Sequence, residues 1–169
     1  MSIDVLRTAA VAAIEGAFPV DPVPPVKQVW NHHCEECGET AMLFAGKKWP
    51  DIKVTDLLRN PSPSLLTPTA FRYYLPAMML RSIEDLRALD CFPDSLVHQL
   101  SPPGGKLSEH ARPRLTGFTG DQIEAIIAFL RYFEALQLED DPDDEAGRRG
   151  INRAVKYWRG QLEPPPDDE

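Results

Sequence analysis

The residues in this chain best equipped for chemistry lie in one run, His32-His33-Cys34-Glu35-Glu36-Cys37-Gly38-Glu39. Two residues between cysteines allow one tight turn to aim both sulfurs at a single tetrahedral ion. Gly38 frees the backbone to turn back after the second cysteine, as a metal-binding knuckle requires. A structural zinc site takes four ligands, and no second CxxC occurs in the chain. The local candidates to complete the set are His32 and His33. The distant ones are Cys91 and His98, spaced to bracket one short helix, with His110 a further histidine. A closed four-ligand site would staple the fold. An open one would be catalytic, with Glu35, Glu36 or Glu39 as general base.

The same spacing serves thiol–disulfide exchange, where the start of a helix lowers the first thiol's pKa. Here no apolar helical period begins at the cysteines, and no βαβ pattern precedes them, which disfavours the redox reading. A third reading leaves two reduced cysteines in an ordinary turn. Of the three, structural metal binding is favoured. Other catalytic signatures are missing: there is no GxSxG elbow, Walker A loop, GxGxxG after a strand or HExxH.

The elements that position this run read mainly as helix. Leu6, Ala10, Ala13, Ile14 and Ala17 share one stripe behind Ser2, a predicted N-cap. Pro19 to Pro25 must be an extended strap, because proline fixes φ and disfavours helix before it. Val26 to Trp30 and Thr40 to Phe44 read as two strands, forming a short antiparallel hairpin around the CxxC knuckle. A short helix spans Val54 to Arg59. Thr67-Pro68 opens a core helix carrying Phe71, Leu75, Met78, Met79 and Ile83, with Pro76 inside it as a kink. A further short helix carries Leu96, Val97 and Leu100, and residues 101–118 read as an irregular loop of unusual length. Thr119 and Gln122 form a capping box for a helix through Ile123, Ile126, Ile127, Leu130, Phe133 and Leu136. Six acids among residues 139–145 lack a calcium-loop pattern and read as a charged link at the next helix start. Ile151, Val155, Trp158 and Leu162 give the last helical stripe.

These segments predict a mainly α (α+β) fold, about five helices with one short hairpin. It is read as one globular domain over residues 1–162, followed by a disordered acidic tail over 163–169. The 169 residues are enough for one sizeable core. A net charge of −8 argues against general affinity for nucleic acid or anionic membrane. The densest cations, Arg148-Arg149 and Lys156 with Arg159, are the candidates for a local basic patch, with a solvated helix face as the favoured reading. No run approaches the ~18 uninterrupted apolar residues of a membrane span. With no signal-peptide run at the amino terminus and three cysteines, the chain reads as cytoplasmic.

Cys34-x-x-Cys37, Gly46-x-x-Trp49, Leu66-Thr67-Pro68 and Phe71-Arg72-Tyr73-Tyr74-Leu75-Pro76-Ala77 together resemble a family of small uncharacterised bacterial proteins, a domain of unknown function. The resemblance covers about residues 10–90. It implies a bacterial cytoplasmic protein and brings no activity or site residue with it. Two functions follow from the residues themselves. The favoured one is a non-enzymatic protein-binding domain, zinc-stapled at the knuckle. An inhibitor of a basic toxin is one version, since an acidic surface suits a basic partner. The alternative is an enzyme with a metal or thiol redox centre at Cys34 and Cys37.

Overall fold

A computed structural model describes residues 1–30, 35–102 and 107–162. Eight α-helices occur among them. Helix α1 (Ile3–Ala17) is capped by Ser2, whose side chain accepts from the Val5 amide, and buries Ala10 and Ile14. Its stripe lies along α7 (Gly120–Asp140), the broadest helix pair, and it also touches α4 (Pro68–Glu84). Both halves of the predicted capping box form at the start of α7. The Gln122 amide donates to Thr119 Oγ1 at 3.3 Å, and the Thr119 amide donates to Gln122 Oε1 at 3.1 Å. Thr67 caps α4 in the same way, accepting from the Ala70 amide, with Pro68 at the first helical position. The helix runs on through Pro76, which is buried.

The expected hairpin is not present. Among the described residues there is no strand, only an isolated antiparallel bridge between Trp30 and Leu66. Val26–Gln28 forms a 3-10 turn, and Glu35–Phe44 is helix α2. Cys37, Thr40, Ala41 and Phe44 are its buried residues, at the i, i+3, i+4, i+7 spacing of one helical face. Glu35 and Glu36 lie in its first turn, at the positive end of the helix dipole. Gly38 is an ordinary helical residue; a Cβ there would touch nothing within 4 Å. Instead of pairing with its neighbour, the segment after the strap pairs with the approach to α4, where the Thr67 amide donates to the Val29 carbonyl at 3.0 Å.

The strap lies across its own core. Trp49 Nε1 donates to the Pro19 carbonyl at 3.1 Å, the Tyr73 hydroxyl donates to Val20 O at 2.6 Å, and Lys48 pairs with Asp21 at 3.1 Å. Helix α3 (Val54–Leu57) is a single turn, and α5 is Phe92–Gln99. Part of the stretch expected to be irregular is helix α6 (Arg112–Leu115). It is tied down on both sides: Arg72 donates to the carbonyls of Pro113 and Thr116, and the Tyr157 hydroxyl donates to Leu115 O at 3.2 Å.

Helix α8 (Glu145–Gly160) buries Ile151, Ala154, Val155 and Trp158 against the rest. The acidic link supplies its cap, since Asp144 Oδ1 accepts from the Gly147 amide at 2.9 Å. Gly147 makes room for that cap, because a Cβ there would collide with the Asp144 carboxylate. Trp158 closes the packing with its Nε1 donating to the buried Leu100 carbonyl at 2.9 Å.

Candidate functional site

Of the expected site residues, Cys37, Cys91 and His98 are among the described ones. Cys37 is in the first turn of α2 with 0% exposure. His32, His33 and Cys34 lie outside the described residues, but α2 begins at Glu35, the residue after Cys34 in sequence. The described part of the CxxC run is therefore helical, which answers one of the two objections to thiol chemistry; no strand occurs among the described residues, so the missing βαβ pattern still stands. Cys91, the exposed residue before α5, accepts a hydrogen bond from Asn60 Nδ2 at 3.3 Å. His98 is exposed in the last turn of α5, seven residues on and about 10 Å along a helix axis. Among the described residues no group of three or more His, Cys, Asp or Glu side chains is gathered to hold a metal, so Cys37, Cys91 and His98 do not form such a group by themselves. His98 instead helps line a cavity of about 450 Å3 with Asp94, Gln137 and Arg153. Burial, and then the nearby Asp90, push the Asp94 carboxyl above its ordinary value.

The larger concavity gathers the cations that the residue pattern named as a candidate basic patch but favoured as a solvated face. Helices α7 and α8 enclose an open groove of about 740 Å3, lined by Glu134 and Leu138 on α7 and by Arg148, Arg149, Arg153 and Lys156, among others, on α8. A smaller hollow of about 350 Å3 adjoins it and shares Asn152 and Lys156, adding Arg131 and Arg159. Together the two are lined by six of the chain's 18 lysines and arginines and only two of its 26 acids. The groove is thus a basic strip on an acidic molecule.

Its few acids are occupied. Arg131 Nη1 pairs with Glu134 Oε2 at 2.6 Å and donates to Asn152 Oδ1 at 2.9 Å, while Asn152 Nδ2 returns a bond to Glu134 Oε1 at 2.8 Å. Glu145 holds Arg149 at 2.9 Å across one exposed turn. Among the described residues, Arg153, Lys156 and Arg159 have no ion pair, and the buried Nε of Arg148 has no hydrogen-bond partner. Leu138 supplies an apolar wall and is 36% exposed. The sequence did carry a signal. Arg149, Arg153 and Lys156 stand at i, i+4 and i+7, one helical face. What it did not carry is that this exposed face shares a groove with Glu134 and Leu138 of α7.

Described residue by residue, this is a mainly helical protein with a basic inter-helix groove, and none of its described helices is long and apolar enough to cross a membrane. The chain belongs to a family of unknown function, DUF6714, which matches residues 31–162. The match takes in α2 to α8 and leaves α1 and the proline strap outside it. It supports the resemblance at the level of a domain of unknown function, without bearing on the CxxC run or the Tyr-Tyr-Leu-Pro helix. No curated protein and no solved structure matches the chain.

Proposed function

We propose that the chain is a non-enzymatic protein-binding domain that meets its partner at the α7–α8 groove. The observation that carries this reading is the set of α8 cations left without carboxylates beside the exposed Leu138. Exposed cations without carboxylate partners, next to an apolar side chain, can pair and lose water when a partner covers them. The partner expected from net charge alone was a basic one; the groove favours the opposite sign. A photo-crosslinking residue at Arg153, compared with one at the exposed Glu124 on α7, tests the reading in growing cells. A discrete adduct from position 153 alone is expected, and identical patterns from both positions would refute it.

The proposal keeps a structural zinc at the CxxC run, with Cys34, Cys37 and His32 or His33 as local ligands and Cys91 or His98 as distant ones, in a cytoplasmic setting. A second reading, a thiol redox centre at Cys34 and Cys37, draws support from the start of α2 at Glu35, since a helix N-terminus stabilises a thiolate. Metal content and a free-thiol count on untagged protein decide between them. About one zinc per chain with protected thiols favours the staple. Metal-free protein whose thiols exchange with a dithiol favours the redox centre.

A further inference from the structure

We infer that the occupant of the α7–α8 groove is an acidic, amphipathic segment of another protein, with two or more carboxylates flanking one large apolar side chain. This rests on the protein-binding reading and names the chemistry of its partner. Arg153, Lys156 and Arg159, the cations without an ion pair among the described residues, span seven residues of α8, about 9 Å along its axis. Carboxylates meant for them must fall within that length. Leu138 of α7 lines the same groove and is 36% exposed, so the apolar side chain seats against it while the acids reach across to α8.

Three alternatives fit less well. A nucleic-acid strand would bring phosphates against the same cations, but its unbroken line of charge is opposed by the chain's net −8 more strongly than a few carboxylates are. A basic partner meets the wrong local sign. A small anion would leave the apolar wall uncovered. An acidic segment is also repelled by the molecule as a whole, so its binding depends on short-range pairing inside the groove. Pairing of that kind weakens with added salt.

The test is selection of short random peptides on immobilised full-length protein. A parallel selection uses a variant carrying Arg153→Glu and Lys156→Glu, both exposed and without ion pairs among the described residues. An unchanged circular-dichroism melt establishes that the variant is folded. Enriched peptides are expected to be rich in Asp and Glu around a Leu, Ile, Phe or Trp, and to bind the variant about tenfold or more weakly. A fluorescent single-stranded oligonucleotide is titrated alongside and is expected not to bind. Enrichment of neutral or basic peptides, equal binding to the variant, an empty selection, or tight binding of the oligonucleotide would each overturn the inference. A crosslink from position 153 that survives such a failure would show that the groove binds protein of some other chemistry.

Discussion

Replacing Tyr74 by Phe removes one oxygen atom from the centre of this protein, and its effect can be worked out from the contacts. Tyr74 is fully buried on α4. Its hydroxyl donates to the Phe44 carbonyl at 2.7 Å and lies 3.0 Å from the Lys47 carbonyl, both at the C-terminal end of α2. The Phe44 carbonyl also accepts from the Lys47 amide at 3.1 Å and keeps a partner in the variant; the Lys47 carbonyl loses its tyrosine. The ring contacts, with Phe44 at 5.0 Å and with Tyr73 at 4.8 Å between centroids, are available to phenylalanine too. Little cavity is therefore created, and the cost is that of the buried bond to the Phe44 carbonyl and of a part-buried Lys47 carbonyl left without its donor, about 1–3 kcal/mol. At about 2–4 °C per kcal/mol for a chain of this length, Tm falls by about 2–12 °C. A second readout comes from alkali. Burial pushes the Tyr74 hydroxyl far above its ordinary value, with the neighbouring Tyr73 adding to the shift. Above about pH 10 the unfolded chain gives up this proton while the folded chain keeps it, so stability from Tyr74 is present below that pH and lost above it. The gap between wild type and variant is thus expected to narrow as pH rises beyond about 10. Thermal melts across that range measure both effects. A Tm within about 1 °C of wild type at neutral pH would refute the reasoning.

Three further outcomes are expected. Trp158→Phe leaves the Leu100 carbonyl without its indole donor and also opens space in the core where the fully buried indole was, so it costs at least about 1–3 kcal/mol, read by chemical denaturation; a change within error would refute both contributions. Asp56 titrates below its ordinary value: burial opposes its ionisation, but hydrogen bonds from the Lys53 amide and Lys47, together with their charges, outweigh it. Its stabilising effect is present above about pH 4 and fades as pH falls through the lower folded value, so Asp56→Asn is expected to flatten the acid limb of the stability profile there and nowhere else. If zinc staples the CxxC run, Cys34→Ser abolishes bound metal and chelator lowers Tm in the wild type only, because metal binding contributes folding free energy; equal melts with and without chelator would remove the staple.

The elements that could be read in the sequence are those whose evidence is local. Helix α7 announces itself through Thr119, Gln122 and an apolar stripe that never breaks, and α1 and α8 through theirs. Helix α2 does not. Its apolar residues bunch at positions 41–44, its first half is acidic, and Gly38 sits where a turn was expected, so the stretch resembles a turn leading into a strand. What makes it a helix is the burial of Cys37, Thr40, Ala41 and Phe44 on one face, with its far end held by a tyrosine thirty residues away. The groove was illegible for the same reason. The spacing of the cations places them on one face of α8, but only the packing of α8 on α7 gives that face a wall.

This dependence of α2 on α4 links the core to the cysteines. Cys37 and Phe44 lie on the same buried face of one helix, two turns apart, and Tyr74 holds the Phe44 end. Whatever loosens that end lets the helix open from its C-terminus toward Cys37, and a buried thiol reacts only through such opening. Tyr74→Phe is therefore expected to speed alkylation of Cys37 under native conditions by the factor its stability loss dictates, about tenfold for each 1.4 kcal/mol when local opening governs access. Cys91, already exposed and outside α2, reacts at an unchanged rate and serves as the internal standard. If Cys37 responds no more than Cys91, the first turn of α2 is held independently of Tyr74, which is the behaviour a metal bound at the CxxC run would impose.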